Sequence, residues 1–394
     1  MIETAVSGLR TESGRGPSTA LSDRLPRPWL FPLLAFAVTW VIVVVTWHIA
    51  NEINHSPQPW TAYFWIGDGV HYRDIARYGY GNPILMMPRH GRGSPFVATF
   101  LSAWFPLLPV LIRLVSYATL GNFVAAGLIV QILAGAASAV AVWALAVRVR
   151  DRRTADRAVL LYCAFGSMTL ATLYTEPLAI ALAASCLLAL LDRRWLLAGA
   201  LAALAGLTDP TMIVLTPVLG IAALHAVWTR REWRSLAAPL LAPLGMLGYF
   251  AYYGHQYHDY LFWFRIERAG WNQHIDWGLA QLKVITWNNI GLEARPFTGA
   301  LLIAMFWSAV IGIALLIAAR APVPLIAYTV LVFLSYVLSS DAGAKPRFVL
   351  TTFGIFIGAG AKLPRFVFWP ILVVSAALLI FVTGWWPHHI PPYP

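Results

Sequence analysis

The sequence predicts an all-α polytopic membrane protein with about eleven transmembrane helices, and three observations carry that expectation. Of 394 residues, 59% are hydrophobic and only 11% charged, whereas a soluble domain carries about a quarter charged residues. The apolar residues gather into blocks, several at or above the roughly 18–20 residues that cross about 30 Å of hydrocarbon as a helix. The arginines fall in short clusters between those blocks, so the net charge of +11 reads as membrane topology, with no nucleic-acid partner. The two cysteines, Cys163 and Cys186, lie inside apolar blocks. This argues against a disulfide-stapled secreted fold and a cysteine-based zinc site.

Taken in order, residues 1–28 hold Arg10, Arg15, Arg24 and Arg27 among Gly, Ser, Thr and Pro, a composition too poor in apolar residues to fold alone and read as a disordered cytoplasmic tail. Residues 29–394 form one transmembrane domain. Its first span, 29–49, is too long for a removable signal peptide and lacks a small-residue cleavage site. Further blocks run at about 122–147, 157–175, 177–191, 195–208, 211–228, 235–253, 298–319, 322–339, 347–361 and 366–386. Alternation from a cytoplasmic N-terminus puts Arg148–Arg157, Arg193/Arg194, Arg230–Arg234, Arg320 and Lys362/Arg365 inside, as the positive-inside rule requires. It leaves 50–121 and 254–297 as two large extracytoplasmic loops of a plasma-membrane protein. The block PFVATFLSAWFPLLPVLIRLVSYATLG is apolar enough to span, but a crossing there would invert every later loop, and Pro106 and Pro109 break its helix. It is therefore expected to lie on the surface or re-enter.

This threading gathers Asp68, Asp74, Glu176, Asp209, Arg265, Glu267, Arg268, Lys345 and Arg347 at one membrane face. Charges in apolar surroundings cost several kcal/mol each and are candidate functional groups. No Walker-type phosphate loop and no dinucleotide glycine fingerprint occur, so ATP and nucleotide sugars are not expected as direct substrates. No His/Asp/Glu spacing makes a metal site, and no cofactor is expected. The densest polar segment is FWIGDGVHYRDIARYGYG. There Gly67 and Gly69 bracket Asp68, and Tyr72, Ile75, Ala76 and Gly79 share the face of a short amphipathic helix. Asp68 reads equally as an N-cap or as a general base able to take a proton from a sugar hydroxyl. Asp74 stands three residues from Arg77, a spacing suited to a surface ion pair, and His71 is placed to touch substrate or to serve the fold.

At this loop the sequence resembles the PIG-V-type mannosyltransferases, membrane enzymes of the GT-C glycosyltransferase superfamily, in their bacterial form. GDGVHYRDIARYGY resembles the family's W-D-G-x-Y-x-x-I-A-x-x-G-Y loop, with Gly67 where tryptophan usually stands. WFPLLPVLIRLVS is similar to its F-F-P-L-Y-P-x-L-x-R segment and LYTEPLAIALAASCLLAL to its Y-T-E-S-L-F element. RRWLLAGALAALAGLTDPTMIVLTP follows A-G-x-x-A-x-L-A-x-L-T-R-P, except that Asp209 replaces the expected arginine. HDYLFWFRIERAGWNQ and KPRFVLTTF also have counterparts. The resemblance runs over about 60–365, with the motifs in family order.

The resemblance implies a GT-C-type bundle with amphipathic helices in the first extracytoplasmic loop. It also implies an inverting transferase that moves mannose from a polyprenyl-phosphate carrier to a glycolipid, glycan or other acceptor at the outer face of the bilayer. Asp68 would be the base. Arg347, with Lys345 two residues before it, is the first choice for the departing phosphate, because a guanidinium matches phosphate as a bidentate fork; Arg265 and Arg268 come next. Glu176 orients the acceptor or caps its helix, and Tyr72 and Asp74 complete the set. Asp209 puts the acceptor, or activity itself, in question. Another polyprenyl-phosphate sugar, such as arabinose, would leave fold and base unchanged. A lipid-linked-sugar flippase would call for repeated halves and midplane charges, and the sequence has neither.

Overall fold

The computed structural model describes residues 20–55, 59–80, 100–286, 296–340, 343 and 345–389. Among them the regular structure is helical, with a single isolated bridge between Ile275 and Ser339. Six helical stretches are long and apolar enough to cross a membrane: Leu30–Ile53, Phe123–Val149, Pro210–Arg230, Trp233–Gln256, Phe297–Ala318 and Arg365–Trp385. Four shorter apolar helices accompany them, giving an all-α polytopic membrane fold.

The chain opens with α1 (Leu30–Ile53), then α2 (Trp60–Phe64) and α3 (Asp68–Tyr78). Burial of Tyr72, Ile75 and Ala76 on α3 reproduces most of the amphipathic face read from their spacing, while Gly79 stands at the C-cap. The next apolar block divides in two: a 3₁₀ turn at Phe100–Ala103 and α4 (Leu107–Ala118). Twelve helical residues reach about 18 Å, short of a crossing. Leu108, Ile112 and Ser116 are buried, while Val110, Leu114 and Tyr117 are exposed, so α4 is amphipathic. Pro106 and Pro109 do not break this helix. Pro106 stands at its N-cap and Pro109 in its first turn, where a missing N–H costs nothing.

The core is built on α5 (Phe123–Val149), which packs along α6 (Arg152–Ala164) and α7 (Glu176–Leu191). Next come α8 (Trp195–Gly206), a 3₁₀ turn at Pro210–Val214 leading into α9 (Leu215–Arg230), α10 (Ala237–Leu241) and α11 (Leu244–Gln256). Then follow α12 (Phe262–Trp271), whose Phe262 and Ile266 are buried, and α13 (Leu279–Ile285). The chain closes with α14 (Pro296–Ala318), α15 (Val323–Val337), α16 (Pro346–Thr351), α17 (Gly354–Lys362) and α18 (Arg365–His389). Small residues carry the closest helix approaches. A Cβ on Gly358 would sit 2.5 Å from the Leu316 amide nitrogen across the α14–α17 contact.

Two expected spans are interrupted. The block at 157–175 is helical only to Ala164 and continues as irregular chain with one 3₁₀ turn, Met168–Leu170. The block at 347–361 breaks between α16 and α17, where the Tyr328 hydroxyl donates to the Thr351 carbonyl at 3.0 Å and the Tyr336 and Thr352 hydroxyls lie 3.0 Å apart. Non-helical backbone at membrane depth is tolerated where protein covers it or a cavity lies beside it. Gly166, Ser167, Met168 and Thr169 do line a cavity.

The opposite end of the bundle carries the arginine clusters, which also serve the fold. Arg148 donates to Asp192 and to the Leu191 carbonyl, Arg150 to Ala319, and Arg157 to Gly360 and Leu363. The carbonyl-rich C-terminal ends of α7, α14 and α17 are thus closed by guanidinium groups. The expected tail also ends before residue 28, since Leu21–Arg24 form a 3₁₀ turn. Buried Asp156 accepts from the Ser22 amide at 2.7 Å and from the Trp143 indole at 2.8 Å, fastening this turn to α6. Residues 1–19 lie outside the described residues.

Candidate functional site

Three helix starts converge on one cavity of about 710 Å³. α3 brings Asp68, α7 brings Glu176, and the 3₁₀ turn before α9 brings Asp209 at its N-cap. Across from them, Lys345 at the N-cap of α16 and Arg347 in its first turn line the same space. Pro346 between them fixes the helix entry.

Asp68 is the first residue of α3, and its N-cap, Gly67, receives no side-chain cap bond. The carboxylate instead accepts from the Arg347 guanidinium, 279 residues away in sequence. Gly67 is required for this entry. It holds φ 61°, ψ −129°, open to glycine and costly for other residues, and a Cβ there would lie 2.2 Å from the Tyr174 hydroxyl. The motif's tryptophan position is therefore closed to any side chain in this protein. Burial works to raise the Asp68 carboxyl. The Arg347 charge and hydrogen bond, with lesser help from His71 and the Trp104 indole, outweigh it and hold the group below the ordinary carboxylate range.

Arg347 serves several partners at once. Its Nε lies 3.9 Å from Glu176 Oε1, and its guanidinium sits 4.5 Å from the Phe348 ring centroid and 5.6 Å from that of Tyr174, within cation–π range. Glu176 is almost wholly buried, and its Oε2 has no hydrogen-bond partner. Asp209 Oδ1 accepts from the Thr211 amide at 2.8 Å and from the Thr211 hydroxyl.

An aromatic wall closes the other side. Trp104 lies between His71, at 4.1 Å, and Trp271, at 5.5 Å, and Phe100 stacks on Trp271 at 5.6 Å. Burial pushes His71 below its ordinary value against the pull of Asp68 and Asp74. Leu301, Leu302 and Val382 supply an apolar flank from α14 and α18.

Of the residues read from sequence, the structure brings Asp68, Tyr72, Glu176, Asp209, Lys345 and Arg347 onto this cavity, with His71 packed behind Trp104. It does not bring Asp74, Arg265 or Arg268 there. Asp74 is buried against Arg73 at 2.9 Å, and Arg77 lies over the Tyr78 ring, so the i, i+3 pair suggested by spacing is not formed. Arg265 pairs with Asp259 on the surface, and Arg268 is exposed; α12 turns Trp263, Glu267 and Trp271 to the cavity in their place. Sequence reading gave no role to Tyr174, which is the tyrosine of the LYTEPL motif, or to Thr211, which follows the Asp209-Pro210 pair. Among the described residues no three His, Cys, Asp or Glu side chains group as a metal site.

No family model matches the chain, and no curated protein matches it. Among solved structures it is similar to ArnT from Cupriavidus metallidurans bound to undecaprenyl phosphate, at TM-score 0.52 and 14% identity. The match covers 87% of this chain and 63% of that one, so the chain spans less than two thirds of that neighbour's length. The likeness is one of fold alone, and it agrees with the all-helical polytopic membrane architecture described above.

Proposed function

We propose that this protein is an inverting glycosyltransferase that takes a sugar, mannose by the motif resemblance, from a polyprenyl-phosphate carrier and delivers it to an acceptor hydroxyl at the extracytoplasmic face. The observation that carries this reading is the meeting of Asp68 with Arg347 in a cavity having a polar floor and an apolar flank. A carboxylate and a guanidinium from opposite ends of the chain supply the base and the anion partner that such a displacement needs. The undecaprenyl phosphate named with the fold neighbour supports the carrier class, and the arginine clusters at the far end of the bundle support the outward placement.

The chemistry follows from the contacts. Without donor, Arg347 occupies the Asp68 carboxylate. The donor phosphate competes for Arg347 and Lys345, and as it takes the guanidinium fork it frees Asp68 to accept a proton. The acceptor oxygen loses that proton to Asp68 and attacks the anomeric carbon. The bond from that carbon to the phosphate oxygen breaks, with its electron pair going to the phosphate beside Arg347. Phosphate leaves readily, so a second carboxylic acid is not demanded, unlike in a glycosidase. The isoprenoid would run along Leu301, Leu302 and Val382, and the Trp104–Trp271 wall offers faces for a sugar ring.

The test is transfer by purified protein in detergent from synthetic polyprenyl-phosphate mannose, with polyprenyl-phosphate arabinose as the competing donor. Asp68→Asn should lower turnover about 10²–10⁴-fold while retaining binding of polyprenyl phosphate. Full activity in that variant sinks Asp68 as the base, and equal use of both donors sinks the mannose assignment.

A further inference from the structure

Glu176 and Asp209 line the cavity beside Asp68 and have no part in the displacement. Glu176 is almost wholly buried with Oε2 unpartnered, and Asp209 spends Oδ1 on Thr211, leaving Oδ2 outside those bonds. Both line the cavity, together with the Thr175 and Thr211 side chains. Glu176 reaches to 3.9 Å from Arg347, so the space beside these residues adjoins the position of the donor phosphate. The basic groups lining the cavity are Arg347 and Lys345, and both are committed to phosphate when donor binds.

Resting on the donor reading above, we infer that Asp209 and Glu176 form the subsite for the transferred sugar and select an uncharged, hydroxyl-bearing ring over an anionic one. Carboxyl oxygens accept hydrogen bonds from sugar hydroxyls, while a carboxylate on the ring would come to lie beside Asp209 with no cation left to compensate. Asp209 is the specificity-determining residue of the pair, because Glu176 also contacts Arg347.

The experiment measures binding of three probes to the detergent-solubilised full chain: undecaprenyl phosphate, undecaprenyl-phosphate mannose, and the same glycolipid oxidised at C6 to the uronate. The wild type should bind the uronate about tenfold or more weakly than the mannose form. Asp209→Asn, which keeps the cap on Thr211, should narrow that ratio, and Asp209→Arg should reverse it, each ratio taken relative to the same variant's affinity for undecaprenyl phosphate. Equal binding of both glycolipids by the wild type, or a ratio unmoved in Asp209→Asn, overturns the subsite while leaving the donor reading intact. Failure of the wild type to bind undecaprenyl phosphate overturns both.

Discussion

Replacing Gly67 by alanine should damage the site more than any other single-methyl change, and the size of the effect follows from two separable costs. The backbone at φ 61°, ψ −129° charges an L-residue about 1–3 kcal/mol. The new Cβ would lie 2.2 Å from the Tyr174 hydroxyl, and displacing a buried ring to relieve such an overlap costs about 1–3 kcal/mol. The sum, about 2–6 kcal/mol, should appear as a lowered thermal unfolding midpoint in detergent followed by circular dichroism. Tyr174→Phe separates the terms. Without the hydroxyl, the nearest remaining ring atom is 3.3 Å from the Cβ position, so alanine at 67 in that background pays only the backbone cost. The double-mutant cycle should return a coupling of about 1–3 kcal/mol. Because Gly67 sets the entry of α3, the same change displaces Asp68 from Arg347, and a shift near 1 Å costs about 10²-fold in turnover. An unchanged midpoint in Gly67→Ala, or zero coupling to Tyr174→Phe, would refute the account of why glycine stands here.

Three further outcomes are expected. Arg347 holds the Asp68 carboxyl below its ordinary value, so the stabilisation from this ionised group is complete above about pH 4 and is lost as pH falls through the lowered value. Arg347→Gln leaves burial unopposed, and the acid limbs of stability and of kcat/KM should both move to higher pH; a pH series on the two proteins reads this directly. Asp156→Ala strands the buried Trp143 indole and the Ser22 amide and should cost about 2–5 kcal/mol in denaturation while leaving KM for donor unchanged. Arg265→Ala removes only a surface pair with Asp259 and should change activity less than about twofold in a steady-state assay.

What the sequence made legible was whatever depends on local pattern. Apolar length gave the helices, the positive-inside count separated the two ends of the bundle, and the bracketing glycines with the Tyr72–Ile75–Ala76 face gave α3. The block holding Pro106 and Pro109 was read as a non-crossing element with a broken helix; the prolines instead begin an unbroken helix of twelve residues. Contacts at long range stayed hidden. Arg347 meets Asp68 across 279 residues, and no spacing rule distinguishes it from Arg265, which sits in an equally polar motif but faces away. The ends of interrupted spans were hidden too, because the apolar blocks run on past Ala164 to Leu170 and Leu173 and past Thr351 to Phe353, Ile355 and Phe356. Only the tertiary cover that satisfies their freed backbone groups stops the helix there.

That Asp68, Glu176 and Asp209 line one cavity with Arg347 calls for more than a single arginine, and the helix starts bear on it. Asp68 and Glu176 are the first residues of α3 and α7, and Asp209 caps the turn leading into α9. Unpaired amides and the helix dipole at such starts favour a negative group, and Asp209 does accept from the Thr211 amide, whereas Glu176 keeps Oε2 buried without a partner. The fold should depend on Arg347 less than the chemistry does. Arg347→Gln should shift the unfolding midpoint modestly near neutral pH, since the pair is about one-third exposed on the arginine side and such pairs contribute about 0–1 kcal/mol. It should also weaken undecaprenyl phosphate binding about tenfold or more through the lost charge-assisted fork. If the variant unfolds on purification, or if it binds the phosphate as tightly as the wild type, Arg347 is a structural counter-ion to the acids, and the phosphate must find its cation elsewhere.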